Sequence, residues 1–294
     1  MSSVVLSAEQ VGIQFGGLRA LTGFDLQVAT GDLLGLIGPN GAGKTTAFNV
    51  LTGVYRPTSG EVRVAGVRVN DKKPHQITRL GLARTFQNVR LFKDLSVIDN
   101  VKVACVGRNR EQLFSSPARW ASTLNNYYDW WRALLSTPGF RAEEREIEAE
   151  AMQLLEVMEL AELRDSRAKD LPYGKQRRLE IARALGTRPK VLLLDEPAAG
   201  MNSREKVDLM KLIGDLRDRF SLGILLIEHD MKLVMGICER ITVLDHGEII
   251  AVGTPEQVRS DPKVIEAYLG DSFLAQQGKP LPHSPGAASG AQDA

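Results

Sequence analysis

The chain has 294 residues and a mass of 32.3 kDa, with 43% hydrophobic residues, enough for a sizeable core in one large or two modest domains. Lys and Arg number 37 against 36 Asp and Glu, a formal charge of +1, so no global field draws the chain to nucleic acid or to an anionic bilayer. Two cysteines, Cys105 and Cys238, exclude a disulfide scaffold and a Cys-only zinc site and read as buried thiols in a reducing compartment.

Met1 to Gln10 contains Glu9 and no basic stretch ahead of an apolar one, so it does not read as a signal peptide. No run approaches 18 apolar residues, and the expectation is a soluble, cytoplasmic chain. Val11–Phe15 and Phe24–Val28 alternate apolar and polar residues, the pattern of half-buried strands. Leu33–Ile37 is nearly all apolar and reads as a strand covered on both faces. It runs into Gly38–Thr45, after which Thr46–Thr52 continues as a helix to Gly53. A turn between Pro57 and Gly60 precedes a strand expected over Glu61–Val69.

From about Val89 to Leu171 glycine is scarce, and residues 88–170 read as a helical subdomain inserted into an α/β core formed by 1–87 and 171–270. Arg141–Leu160 is amphipathic, with Ile147, Met152, Leu155 and Met158 near one face. An aromatic-rich stretch holds Trp120, Tyr127, Tyr128, Trp130 and Trp131, as local core or as a partner surface. Helix Lys175–Leu185 then leads to Val191–Leu194, a second buried strand. A helix over Arg204–Phe220, a strand over Ile224–Ile227 and a helix over Met231–Cys238 follow. Ile241–Leu244 and Glu248–Ala251 flank a tight turn at Asp245–Glu248, and Val264–Leu269 closes the pattern as a short helix. The tail, 271–294, is rich in Gly, Pro, Ala and Ser and is expected to be mostly disordered.

Gly38-Pro39-Asn40-Gly41-Ala42-Gly43-Lys44-Thr45 fits the phosphate-loop pattern G-x-x-x-x-G-K-[ST] without a mismatch. Chance matches arise in about one in a hundred chains of this length, and this one lies between a buried strand and a helix. The glycines let backbone N–H groups turn toward phosphate oxygens, and the helix offers its positive end. Lys44 would bridge the β- and γ-phosphates, and Thr45 would place a hydroxyl on Mg²⁺ with Thr46 beside it. Leu192–Leu194 runs into Asp195-Glu196-Pro197. Asp195 can reach the Mg²⁺ shell, whereas Glu196 points the other way and suits a general base for the attacking water. His75, His246 and His283 share no metal-ligand spacing.

Over residues 4–270 the chain resembles the ATP-binding subunits of ABC transporters, most closely the branched-chain amino-acid importer type. The resemblance implies a P-loop NTPase fold: an ABC-type α/β nucleotide-binding domain with a β-rich N-terminal part and the inserted helical subdomain. It makes Gln87, within Thr85-Phe86-Gln87-Asn88, the Q-loop glutamine, which contacts Mg²⁺ and water. Asp195 and Glu196 fall at the metal aspartate and catalytic glutamate, and His229 at the switch histidine. Phe15 falls where an aromatic stacks on adenine, and Ala198–Asn202 at the loop that crosses to the other subunit. Gly174, within Leu171-Pro172-Tyr173-Gly174-Lys175, belongs to the signature that closes on ATP in trans. That stretch departs from Leu-Ser-Gly-Gly-Gln by Pro172 and Lys175, and proline supplies neither a hydroxyl nor an N–H.

The cofactors implied are ATP and Mg²⁺. The implied partners are a second ATPase subunit, identical or homologous, in a head-to-tail dimer, and separate transmembrane permease subunits. A solute-binding protein acts indirectly, no nucleic acid is bound, and the chain would sit peripherally on the cytoplasmic face of the inner or plasma membrane. Two alternatives share the core motifs: a non-transport ABC ATPase of DNA repair or translation, and a nonhydrolysing regulatory module.

Overall fold

The computed structural model describes residues 3–114 and 138–268. The aromatic-rich stretch and the tail, both singled out above, lie outside the described residues. Three strands are buried at every position: β3 (Leu33–Ile37), β7 (Val191–Asp195) and β8 (Gly223–Ile227). Continuous apolar runs of this kind belong between two layers, and these lie inside a six-stranded sheet. Its order is β10-β9-β3-β8-β7-β6, completed by β6 (Leu82–Arg84), β9 (Arg240–Asp245) and β10 (Glu248–Gly253). All neighbours are parallel except the β9–β10 hairpin, whose two-residue turn puts His246 and Gly247 at φ 45° and 82°, a backbone suited to the twist of the flanking strands.

Alternation along the strands divides the core in two. Leu33, Leu192, Leu194, Ile224 and Leu226 face one side. There they meet α3 (Val97–Phe114), α4 (Pro138–Val157), α5 (Tyr173–Leu185), α6 (Ser203–Phe220) and α7 (Met231–Ile237). Leu34, Leu36, Val191, Leu193 and Leu225 face the other side, toward α1 (Lys44–Leu51) and a four-stranded antiparallel sheet. That sheet has the order β2-β1-β4-β5, from β1 (Val4–Phe15), β2 (Leu18–Ala29), β4 (Ser59–Val64) and β5 (Val67–Arg68).

The strand expected over Glu61–Val69 is instead a small hairpin. Ala65 and Gly66 take φ of 48° and 78° and fold Val67 back onto Val64. Two short elements, α2 (Pro74–Arg79) and β6, carry too little periodicity to be read from sequence. In α4 the buried face is Ile147, Ala151, Leu154 and Leu155, continued by Met158 just past the helix end, while Met152 is only half-buried. Two 3₁₀ turns, Ala161–Leu163 and Ala168–Asp170, connect α4 to α5, a helix finally closes the described chain over 262–268, and α8 (Pro255–Ser260) precedes it. Cys105 and Cys238 are both buried, and burial pushes the Cys238 thiol up to about 12.

Candidate functional site

The loop from Gly38 to Thr45 joins β3 to α1. Gly38, Gly41 and Gly43 take φ of 150°, 81° and 102°, conformations that side chains of L residues rarely adopt. At two of them space is also lacking. A Cβ on Gly38 would lie 2.0 Å from the Leu244 carbonyl oxygen, and one on Gly43 would lie 2.9 Å from that of Ala20. The loop is thus clamped between β9 and β2. Gly43 is the N-cap of α1 and offers no side chain to cap its first turn, the end of a helix whose dipole favours an anion. Gly38, Pro39, Ala42 and Lys44 are buried, Thr46 is half-buried, and Asn40, Gly41 and Thr45 are exposed. Lys44 Nζ donates to the carbonyl oxygens of Gly38 and Pro39, each at 2.8 Å.

At the end of β7, two adjacent carboxylates have different surroundings. Asp195 is buried, and its Oδ2 accepts from Arg84 Nη2 at 2.8 Å. The other arm of Arg84 donates to Asn49 Oδ1 of α1 at 2.8 Å, and its guanidinium lies 5.5 Å and 5.3 Å from the ring centres of Phe48 and Phe86. Arg84 therefore ties Asp195 to the phosphate-loop helix. No sequence pattern pointed to it, because its partners come from α1 and β7.

Glu196 has a left-handed backbone at φ 47°, a conformation that costs about 1–3 kcal/mol in a residue with a side chain. Its N–H donates to Ile227 O at 2.9 Å and holds that turn against β8. Both carboxylate oxygens are engaged. Gln87 Nε2 donates to Oε2 at 3.0 Å, and His229 Nε2 lies 2.6 Å from Oε1. At that distance the two atoms share a hydrogen bond, with the ring tautomer setting which of them donates. Gln87, Glu196 and His229, widely separated in sequence, thus form one cluster.

The residue before His229 was not singled out in the sequence. Glu228 is buried, and its Oε1 accepts from Ala198 N–H at 2.7 Å, fixing the start of the Ala198–Asn202 loop. Burial pushes its carboxyl above the ordinary range, while the N–H groups of Ala198 and His229 pull it back. Asn202 then caps α6, with Oδ1 accepting from Arg204 and Glu205 N–H.

Phe15 is exposed rather than core, and meets Tyr55 edge to face with ring centres 5.1 Å apart. Tyr55 belongs to no recognisable pattern, and only the fold brings it there. Gly174 lies in the first turn of α5, half-buried beside Glu205, with Pro172 as the N-cap. Tyr173 and Lys175 are exposed. Among the described residues no group of three or more His, Cys, Asp or Glu is arranged to hold a metal, and no helix is long and apolar enough to cross a membrane.

A family model described as ABC transporter matches residues 21–199, and one described as Branched-chain amino acid ATP-binding cassette transporter matches 248–273. The chain is 46% identical over 272 residues to the high-affinity branched-chain amino acid transport ATP-binding protein BraF of Pseudomonas aeruginosa, covering 92% of this chain and 100% of BraF. The corresponding LivG of Escherichia coli is 45% identical with the same coverage. The lipopolysaccharide export ATP-binding protein LptB of Acidithiobacillus ferridurans is 36% identical, over 84% of this chain and 89% of LptB. A crystal structure of an ATP-binding cassette of an ABC transporter, in its ADP conformation, superposes with a TM-score of 0.73 at 32% identity. It covers 91% of this chain and 99% of its own. The sheet order, the clamped phosphate loop and these matches agree: the chain belongs to the ABC transporter family, as an ATP-binding and ATP-hydrolysing subunit similar to those of branched-chain amino-acid transport.

Proposed function

We propose that the chain hydrolyses the γ-phosphate of ATP to energise an importer of branched-chain amino acids, working head to tail with a second ATP-binding subunit. The observation that carries the catalytic reading is the cluster in which Gln87 and His229 take the two oxygens of Glu196, one residue beyond Asp195. In this reading, segments 1–87 and 171–270 form the ATPase core and 88–170 the helical subdomain, with 271–294 outside both.

ATP enters through its phosphates. Backbone N–H groups of the loop and the start of α1, from Gly43 to Thr46, surround their oxygens, and Lys44 transfers to them the donors it now gives to Gly38 and Pro39. The exposed ring of Phe15, steadied by Tyr55, offers a face to adenine. A water oxygen attacks the γ-phosphorus, the bond to the bridging oxygen breaks, and ADP departs with that oxygen. Glu196 accepts the proton of the water, while Gln87 and His229 keep its carboxylate aimed. Thr45, Asp195 and Gln87 supply hydroxyl, carboxylate and amide oxygens, a hard donor set that suits Mg²⁺ together with phosphate oxygens. When bound, that ion offsets charge on the phosphates and the leaving group.

Gly174 in the first turn of α5 serves the ATP held by the second subunit. The cargo follows from likeness to BraF and LivG and would be selected by separate permease and solute-binding proteins. The chain would act peripherally at the cytoplasmic face of the membrane. Glu196→Gln keeps the shape of the side chain but not its basicity. It should leave ATP affinity within about twofold while lowering turnover by about a hundredfold or more. Wild-type phosphate release from this variant would remove Glu196 from the water step.

A further inference from the structure

Arg84, at the end of β6, is the one charged partner of Asp195 that the chemistry above leaves without a task. The side chain of Arg84 is 9% exposed and that of Asp195 6%. Arg84 Nη2 donates to Asp195 Oδ2 at 2.8 Å. Its Nη1 donates to Asn49 Oδ1 at 2.8 Å and to Thr52 Oγ1 at 3.3 Å. Asn49 lies one turn beyond Thr45 on α1, and Thr52 is the C-cap of that helix. The ring centres of Phe48 and Phe86 stand 5.5 Å and 5.3 Å from the guanidinium carbon. A planar fork held at both arms and by two rings has little freedom to leave Oδ2.

Stability is a poor explanation for this pair. Desolvating two charges is costly, and buried pairs are often replaced by apolar residues without loss. Arg84 Nε, moreover, is buried and has no hydrogen-bond partner among the described residues. What the pair does fix is how many oxygens Asp195 can offer. Oδ2 is taken by Arg84, and Oδ1 accepts no hydrogen bond from the described residues. That difference matters to a cation. Ca²⁺ takes about six to eight oxygens in loose geometry and accepts a carboxylate through both of its oxygens, whereas Mg²⁺ is smaller and demands a near-octahedral shell. A carboxylate limited to one oxygen, on a support that cannot turn, suits Mg²⁺ and denies Ca²⁺ its second contact.

We propose that Arg84 is a positioning residue that sets the metal preference of the site. By holding Oδ2 against α1, it leaves Asp195 a single oxygen for the ion and favours Mg²⁺ over Ca²⁺. The same link fixes Asp195 relative to the helix that carries Thr45. This rests on the roles given above to Asp195 and Thr45.

The test is an isothermal titration of the full chain with the nonhydrolysed analogue adenylyl imidodiphosphate, in saturating Mg²⁺ or in saturating Ca²⁺. The wild type should bind the analogue about tenfold more tightly with Mg²⁺, or better, the scale on which partners of metal-binding side chains act. Arg84→Met fills the space beside Phe48 and Phe86 and frees Oδ2, and should reduce that preference to about twofold or less. This variant breaks a buried pair and can fail to fold, so Asn49→Ala is its companion. Asn49→Ala keeps the ion pair and releases the other arm of the guanidinium. It should lower the preference by about threefold or more with a near-native thermal midpoint. A general loss of packing would weaken binding with both ions alike and leave the ratio unchanged. A ratio equal to that of the wild type in Asn49→Ala, or in folded Arg84→Met, overturns the proposal, as does a wild type that binds equally well with both ions. Asp195→Asn is run alongside. If the effect of Mg²⁺ on binding survives in that variant, the metal role of Asp195 fails. If it is lost there while the ratio survives in the other two, the role of Arg84 fails alone.

Discussion

Two helix starts carry the chemistry proposed above, and they are built in opposite ways. At α1 the chain encloses its own ligand site: Gly43 caps in a left-handed conformation, and Lys44 is buried with its ammonium on two loop carbonyls. At α5 the cap is Pro172, extended at ψ 150°, with Tyr173 and Lys175 exposed. What α5 buries is its rear, Arg177 and Glu180. Neither start receives a hydrogen bond from a capping side chain. Only the first is surrounded by donors from the same chain. The second is rigidly supported and open in front, a form suited to a ligand brought by another subunit.

The comparison can be broken most sharply at the first start. Lys44→Ala removes the one buried ammonium of the loop, and charge-assisted contacts of that kind are worth about 1.5–3 kcal/mol each. ATP affinity should fall by about tenfold to a hundredfold in an isothermal titration. Unchanged affinity would mean that the loop does not hold phosphate.

A smaller effect is expected at the second start. Pro172→Ser with Lys175→Gln restores a hydroxyl and an N–H and removes a positive charge from the first turn, where the helix dipole disfavours it. Turnover in the assembled complex should rise a few-fold. A serine N-cap adds about 1 kcal/mol, while losing proline gives back about 0.4–1 kcal/mol through the unfolded chain. The thermal midpoint should therefore move by no more than about 2 °C, which separates a gain in turnover from a gain in stability. A double variant no faster than wild type across an ATP titration would show that Pro172 is not limiting. The single changes belong in the same series, since neighbours sharing one phosphate need not add.

The smallest effect sharpens the boundary between the two regions, where Glu228 holds Ala198. Burial raises its carboxyl above the ordinary value of 4.5, so the folded chain takes that proton more readily than the unfolded chain. Its contribution to stability is complete below the ordinary value and is lost as pH rises through the raised one. Glu228→Gln does not titrate. Relative to wild type, its thermal midpoint should gain about 1–2 °C between about pH 4.5 and pH 8. A constant difference across that range would exclude the linkage.

Much of the nucleotide half was legible because its signals are local. Leu33–Ile37, Val191–Leu194 and Ile224–Ile227 are apolar runs too dense for a half-exposed strand, and each is a buried central strand. The Gly-Lys-Thr loop needs nothing beyond its own backbone to be recognised. Opposite orientation of neighbours on a strand was enough to expect different surroundings for Asp195 and Glu196, and Arg84 and the Gln87–His229 pair are those surroundings. The Ala65–Gly66 hairpin escaped notice because Ala65 at positive φ is no ordinary turn signal. β6 escaped because three residues carry no period.

By itself, the sequence determined the strand cores, the phosphate loop and the identity of the residues available for catalysis, since propensity, periodicity and glycine spacing act over a few residues. Tertiary structure alone decided which of them meet. Arg84 reaches Asp195 across 111 positions, His229 reaches Glu196 across 33, and Arg177 reaches the Phe86 carbonyl across 91. Such pairings depend on strand order and on what burial leaves accessible. The same physics makes Phe15 an exposed ring beside Tyr55 and sets Pro172 at an open helix start, because exposure is a property of the packed chain and not of the residue.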